Sequence, residues 1–170
     1  MIHRLLRAVR LESAFYEEVE HNPAFTGEAF LVVVLASVAA ALGMALAYPG
    51  DSGFPAIALN VLFAVMSWVA WAAITLWIGK TVTRGPETKS DMGEMLRVLG
   101  YAHAPLLLLL LLFIPRLGSL LALAASLWTI AAGVVAIRQA LDFTTARAVI
   151  TGILGFVVIQ ALRFLVRLVV

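Results

Sequence analysis

The sequence predicts an all-α membrane protein, a polytopic bundle of about five transmembrane helices. Apolar residues make up 63% of the 170 positions and charged residues only 13%. Soluble domains are roughly half apolar and a quarter charged. The apolar residues also fall into separate runs of about 20 residues, the length that crosses a hydrocarbon core as a helix. We therefore expect little mass outside the membrane.

Residues 1–26 are predicted to form an amphipathic segment on the cytoplasmic side. Apolar residues recur there at helical spacing, and basic residues occupy the other faces. The apolar positions are Ile2, Leu5, Leu6 and Val9, and the basic positions are His3, Arg4, Arg7 and Arg10. Such a helix lies in the membrane interface with its cations against anionic headgroups. A cleaved signal peptide fits less well, because an acidic cluster follows and the first apolar run is long enough to span.

Residues 27–170 are predicted to form the transmembrane domain. The expected spans are about 29–48, 56–78, 98–114, 118–140 and 146–168. Small residues recur at four-residue spacing in the first and fourth spans, at Ala36 and Ala40 and at Ala125, Thr129 and Gly133. Small residues let helices approach closely in lipid. We expect the first span to be an interior helix and the fourth to pack closely against a neighbour.

Two amides, Asn60 and Gln160, fall inside predicted spans. Asn60, Ser67 and Trp71 share nearly one helical face of the second span. An amide in hydrocarbon is costly unless it is hydrogen-bonded across helices. This face is therefore predicted to point into the bundle.

The stretch from Asp91 to Gly118 is the most informative part of the chain. Asp91 and Glu94 have the spacing of a capping box, which predicts a helix start at the cytoplasmic surface. Pro105 removes a backbone donor and disfavours helix just before it, so the third span should break near His103, ahead of the leucine run. The polar and special residues around this break form the candidate functional junction. They are Glu94, Arg97, Gly100, Tyr101, His103 and Pro105.

Basic residues predict the orientation, since they are enriched in cytoplasmic loops. With five spans, nine basic residues lie inside: Arg4, Arg7, Arg10, Lys80, Arg84, Lys89, Arg97, Arg138 and Arg147. The outside set is Arg116, Arg163 and Arg167. The loop around Asp51 has no basic residue and is placed outside. If the run Leu106–Leu112 only dips into the membrane, four spans give an equally good bias, so charge leaves both counts open.

The central stretch resembles the Yip1 domain family, particularly its prokaryotic branch. The strongest element is Arg97-Val98-Leu99-Gly100-Tyr101-Ala102-His103-Ala104-Pro105, which contains a Gly-Tyr-x-x-x-Pro motif. Further matching runs are Ile114-Pro115, Leu127-Trp128, Ala136–Leu141, Thr145–Ala148, and Phe15–Glu18 before Asn22-Pro23. The resemblance implies five spans, a cytosolic amino terminus and a carboxyl terminus on the opposite side.

The resemblance does not extend to GTPase recruitment. Eukaryotic relatives associate with Rab-type GTPases through a longer cytosolic amino-terminal region. Their acidic Tyr/Pro motif is not recognisable in Asp51-Ser52-Gly53-Phe54-Pro55. GTPase binding is accordingly not expected, and the bias toward arginine and alanine over lysine favours a prokaryotic cytoplasmic membrane.

No catalytic, cofactor or metal site is predicted. His3, His21 and His103 are scattered without the spacing of a metal site, and HExxH, GxSxG and phosphate-loop motifs are absent from the sequence. Nucleic-acid binding is not expected either. We expect a non-enzymatic membrane protein that associates with itself or with other membrane proteins in the lipid bilayer.

Two other hypotheses remain open at the level of sequence. A small transporter, channel or lipid-handling protein would use the Pro-broken helix around Tyr101, His103 and Pro105. A membrane enzyme would use Glu94, Arg97 and His103, although these residues point to no particular reaction.

Overall fold

The structure is a computed structural model that describes residues 1–48, 53–85 and 88–169, apart from the side chains of 162, 163 and 165–169. Within these ranges the chain is all-helical, as predicted. The α-helices are α1 Ile2–Val9, α2 Ser13–His21, α3 Thr26–Ala47, α4 Phe54–Thr81, α5 Met92–Tyr101, α6 Leu117–Ala140 and α7 Thr145–Val169. Two 3₁₀ helices, Pro23–Phe25 and Ala104–Phe113, lie between them, and the second is called the leucine segment below.

Among the described residues, four segments are long and apolar enough to cross a membrane. They are Pro23–Ala47, Phe54–Thr81, Met92–Phe113 and Leu117–Ala140. The apolar part of α7 that could be assessed is shorter, Thr145–Ala161. The membrane character of the chain is thus confirmed, whereas the fifth span, 146–168, stays a prediction. The predictions made for residues 49–52 and for the side chains of Arg163 and Arg167 concern positions outside the described residues.

The third span is broken by a change of helix type. α5 ends at Tyr101, and Pro105 is in the first turn of the leucine segment. Proline has no backbone N–H and its ring clashes with the preceding turn, so the α-helical hydrogen bonds cannot continue through it. A 3₁₀ helix of ten residues is unusually long.

The leucine segment runs alongside α3, and two glycines show how closely. A Cβ on Gly100, just before the break, would lie 2.9 Å from the Ala29 carbonyl oxygen near the start of α3. A Cβ on Gly43, near the end of α3, would overlap the Leu109 carbonyl oxygen. The chain from Gly100 to Leu109 therefore covers the same distance along the bundle as α3 does from Ala29 to Gly43. α6 packs on the other side of the leucine segment and leads the chain back.

The amino-terminal segment forms a compact cap on one end of the bundle. α2 packs against α5 and α6, and its Phe15, Tyr16 and Val19 are fully buried. The chain reverses between α1 and α2 at Leu11, which has a φ of 59°. Residues 1–26 thus fold onto the bundle in separate short helices.

The expectation that the cations of α1 all face lipid headgroups is wrong in part. Arg4 pairs with Glu28 at 2.5 Å, and Arg7 pairs with Glu12 at 3.0 Å and with Glu18 at 2.7 Å. Glu12 lies in the turn between α1 and α2, whereas Glu18 belongs to α2 and Glu28 to α3, two helices that sequence spacing alone does not bring near α1. Arg10 remains exposed.

The prediction that the face of α4 with Asn60 and Ser67 points into the bundle is wrong. Asn60 and Ser67 are exposed and Trp71 is half-buried. The face that packs inside carries Trp68, whose indole Nε1 donates to the Leu96 carbonyl oxygen at 3.2 Å. A buried indole supplies more apolar area than Ser67 and still finds an acceptor, so it is the residue that turns inward.

The small-residue stripes pack unequally. In α3, Ala36 is buried, as expected for an interior helix, and Ala40 is half-buried. In α6, Ala125 is buried, but a Cβ on Gly133 would meet nothing within 4 Å. The stripe on α6 therefore packs closely over only part of its length.

Candidate functional site

The junction begins with a capping box at the start of α5. The Asp91 side chain accepts from the Glu94 N–H at 2.9 Å, and the Glu94 side chain accepts from the Asp91 N–H at 2.9 Å. This reciprocal pair satisfies two of the free donors at a helix start. Glu94 is thereby used in the local structure of α5.

Arg97 ties α5 to the end of α2. Its side chain is buried, with 6% of the residue exposed. Nε donates to the Val19 carbonyl oxygen at 3.0 Å, and Nη2 donates to the Glu20 carbonyl oxygen. The last carbonyls of a helix lack partners within it and carry its partial negative charge, so a guanidinium there is favourable.

Tyr101 fills the space between the cap and the bundle. Its ring is fully buried and meets Phe15 edge-on, with centroids 5.1 Å apart, and Phe25 at 6.3 Å. Its hydroxyl lies near the ion pair of Arg4 and Glu28 but has no hydrogen-bond partner among the described residues. The ring of Tyr101 is thus packed among aromatic side chains, and its hydroxyl points toward the charged pair.

His103 caps the end of α5 with its own side chain. Its Nδ1 lies 2.8 Å from the Leu99 carbonyl oxygen and donates to it when that nitrogen carries the proton. The His103 backbone N–H instead bonds the Gly100 carbonyl oxygen at 3.1 Å. The tightened last turn leaves the Leu99 carbonyl free for the imidazole, and buried Pro105 follows.

The six predicted junction residues thus lie in consecutive turns of the chain, but they do not converge on a pocket. Glu94 and His103 satisfy the two ends of α5, and Arg97 satisfies the end of α2. Gly100, Tyr101 and Pro105 are packed against neighbouring helices. Among the described residues, no group of three or more His, Cys, Asp or Glu side chains is placed to hold a metal ion.

The predicted intramembrane amides differ in their surroundings. Asn60 of α4 is exposed and has no partner among the described residues. Gln160 of α7 is exposed too but does have an interaction partner. Ser67, two turns along α4 from Asn60, shares its exposed face.

One buried carboxyl group was not predicted. Glu20, near the end of α2, is only 4% exposed, and its Oε2 has no hydrogen-bond partner among the described residues. Burial, followed by the charge of Glu17, raises the pKa of Glu20 to about 8. The sequence shows an acidic cluster, Glu17, Glu18 and Glu20, that is typical of a solvated segment. Only the packing of α2 against α5 and α6 shows that Glu20 is the buried member.

The long apolar helices define the chain as a multi-pass membrane protein. The family model described as the Yip1 domain matches residues 8–166, nearly the whole chain. The chain therefore belongs to the Yip1 domain family, which confirms the resemblance carried by the Gly-Tyr-x-x-x-Pro motif. None of the curated proteins and none of the solved structures compared with it matches the chain.

Proposed function

We propose that this Yip1 domain protein acts without catalysis, by associating through α4 with a helix of a second copy or of another membrane protein. The observation that carries the proposal is the exposed face of α4, on which Asn60 and Ser67 lie without partners among the described residues. We call the face formed by Asn60, Ala64 and Ser67 the polar face of α4.

The chemistry of this face favours a protein neighbour over lipid. Lipid tails offer no hydrogen-bond partner to an amide, whereas a second helix offers main-chain and side-chain groups. Interhelical hydrogen bonds of this kind contribute about 0.6–2 kcal/mol. Ala64, half-buried between Asn60 and Ser67, keeps the face small enough for a close approach.

The arrangement of the junction supports a role without catalysis. The two polar side chains that flank the break, Arg97 and His103, both donate to main-chain carbonyls at helix ends. A general acid or base needs a free position facing a substrate. Arg97 offers no such position in this conformation, and the Nδ1 atom of His103 is committed to the Leu99 carbonyl, which leaves Nε2 as its one unassigned ring nitrogen.

The test is the size of the purified particle in mild detergent. We expect the wild-type chain of 18.3 kDa to run as an oligomer or with a second protein at fixed ratio. Asn60→Leu and Ser67→Leu should each shift the distribution toward the single chain. Ser126→Leu is the matched control, because Ser126 is also exposed but already donates to the Ala122 carbonyl oxygen of its own helix at 2.8 Å.

Two results would overturn the proposal. One is a wild-type protein that elutes as a single chain with no partner. The other is an assembly that Asn60→Leu and Ser67→Leu leave as intact as Ser126→Leu does.

The orientation belongs to the same proposal, with the amino terminus cytoplasmic and the carboxyl terminus outside in a prokaryotic cytoplasmic membrane. Its support is the grouping of cations where α4 ends and α7 begins: Lys80, Arg84, Lys89 and Arg147. Positive loops favour the cytoplasm. The orientation is tested with Lys89→Cys, which introduces a single cysteine. A reagent that does not cross membranes should label it in inverted vesicles but not in spheroplasts. Labelling of this cysteine in intact spheroplasts would place the loop outside and would contradict the proposed orientation.

A further inference from the structure

A cleft of about 430 Å³ separates α1 from the membrane part of the molecule. One wall is the apolar face of α1, including Leu5 and Val9, and the other is formed by Pro105, Leu108 and Trp128. The volume falls within the roughly 300–1,000 Å³ of ordinary ligand sites, but the cleft is a half-open groove and not an enclosed cavity. The side chains that line it are apolar apart from the indole of Trp128.

A side-chain hydrogen bond fixes α1 beside the cleft. The Trp128 indole Nε1 donates to the Val9 carbonyl oxygen at 2.7 Å, which fixes the end of α1 against the middle of α6. On the far side of α1, Arg4 is bonded to Glu28 at 2.5 Å and 3.0 Å. α1 is therefore anchored along two edges, and the space beneath it does not depend on a flexible loop.

The walls select a hydrocarbon occupant. They offer almost no hydrogen-bonding groups, so a peptide or sugar placed there would lose its hydration without compensation. Ala104, Pro105, Leu107 and Leu108 belong to a segment that is long and apolar enough to span the bilayer. At that depth the available hydrocarbon is the acyl chain of a lipid.

The charges on α1 specify the headgroup. Arg4 and Arg7 are neutralised by ion pairs within the protein. His3 and Arg10 are exposed and have no partner among the described residues. On a helical projection His3 and Arg10 point in nearly the same direction. That direction is about 100° from the centre of the apolar face of α1, on the side of exposed Leu6.

From this complementarity we propose that the cleft binds one acyl chain of an anionic phospholipid, whose phosphate lies beside Arg10. The lipid site shares no residue with the polar face of α4. A negative result for lipid binding would therefore not bear on the proposed association.

The test uses the whole chain in detergent micelles with phosphatidylglycerol or phosphatidylcholine, read by native mass spectrometry. We expect one tightly retained phosphatidylglycerol per chain and weaker retention of phosphatidylcholine. Arg10→Gln should weaken retention of phosphatidylglycerol about fivefold, the contribution of one cation at an anionic surface. Lys80→Gln, which removes an exposed cation of α4, should leave it unchanged.

The position is tested with a phosphatidylglycerol that carries a photoreactive group in its acyl chain. Adducts should concentrate on α1 and the leucine segment. Leu5→Trp, which fills the cleft, should abolish them, whereas Leu59→Trp on the exposed side of α4 should not. Thermal unfolding of both variants shows that they fold.

The proposal fails if the two lipids are retained equally, or if Arg10→Gln has no more effect than Lys80→Gln. It also fails if adducts spread over all exposed helices, which is the behaviour of bulk bilayer lipid.

Discussion

The guanidinium of Arg97 donates a hydrogen bond to the main-chain carbonyl oxygen of Glu20, and so joins the third span to the last turn of α2. A second bond, from Nε to the Val19 carbonyl oxygen, makes the contact two-pronged. The amino-terminal cap is therefore attached to the bundle by a residue that lies three positions before the Gly-Tyr-x-x-x-Pro motif.

Replacing Arg97 tests this attachment. Arg97→Leu should lower the free energy of unfolding by about 1.5–3 kcal/mol, the range for hydrogen bonds to charged groups. Arg97→Lys should lose less, because it keeps the charge but not the planar fork. Thermal unfolding in detergent measures both. Lys80→Gln is the control with no described partner, and a loss as large as that of Arg97→Leu would contradict the assignment.

The close approach of α3 to the leucine segment is tested by adding a methyl group. Gly43→Ala should destabilise the protein by about 1–3 kcal/mol, because its Cβ would overlap the Leu109 carbonyl and one of the backbones must move. Gly133→Ala should be neutral or slightly stabilising, since its Cβ would meet nothing within 4 Å and alanine favours helix. Equal effects of the two substitutions on the unfolding temperature would contradict the packing.

Because the carboxyl group of Glu20 is buried, we expect the protein to lose stability as the pH rises. Its carboxyl group ionises near pH 4.5 in the unfolded chain, whereas burial raises its pKa to about 8 in the folded one. Between these values the folded state holds the extra proton, so the free energy of unfolding falls as the pH rises through this window. Above pH 8 this group adds no further slope. Glu17, Glu94 and Asp142 add to the shift and His21 opposes it.

Glu20→Gln should remove that dependence. At pH 9 the variant should be more stable than the wild type by about 1–3 kcal/mol, the cost of a buried group left unpaired. Glu17→Gln, on the exposed side of α2, should keep the fall. Unfolding curves at several pH values measure both, and a Glu20→Gln variant that still loses stability between pH 5 and 8 as the wild type does would contradict the burial of this carboxyl group.

Local signals in the sequence predicted the central part of the fold. The capping box of Asp91 and Glu94 and the break at Pro105 depend on residues within one or two turns, and both are present. The family motif was recognisable for the same reason. Its residues are adjacent in sequence, although Gly100 and Tyr101 pack against distant parts of the chain that the motif itself does not reveal.

Features set by long-range packing could not be predicted in this way. Apolar residues lie on every side of α4, so periodicity does not show that Trp68 turns inward and Asn60 outward. The burial of Glu20 and the capping role of Arg97 require α2 to fold back under α5. No pattern within α2 or α5 specifies that contact.

Cross-linking from the polar face of α4 tests the association most directly. The chain has no cysteine, so Ala64→Cys creates a single thiol and keeps Asn60 and Ser67. A thiol-attached photo-cross-linker at this position should give one discrete protein adduct in native membranes. The same reagent on Ile153→Cys, at an exposed position of α7, should give none. Adding Asn60→Leu to Ala64→Cys should abolish the adduct. No protein adduct at position 64, or equal adducts at positions 64 and 153, would contradict association through this face.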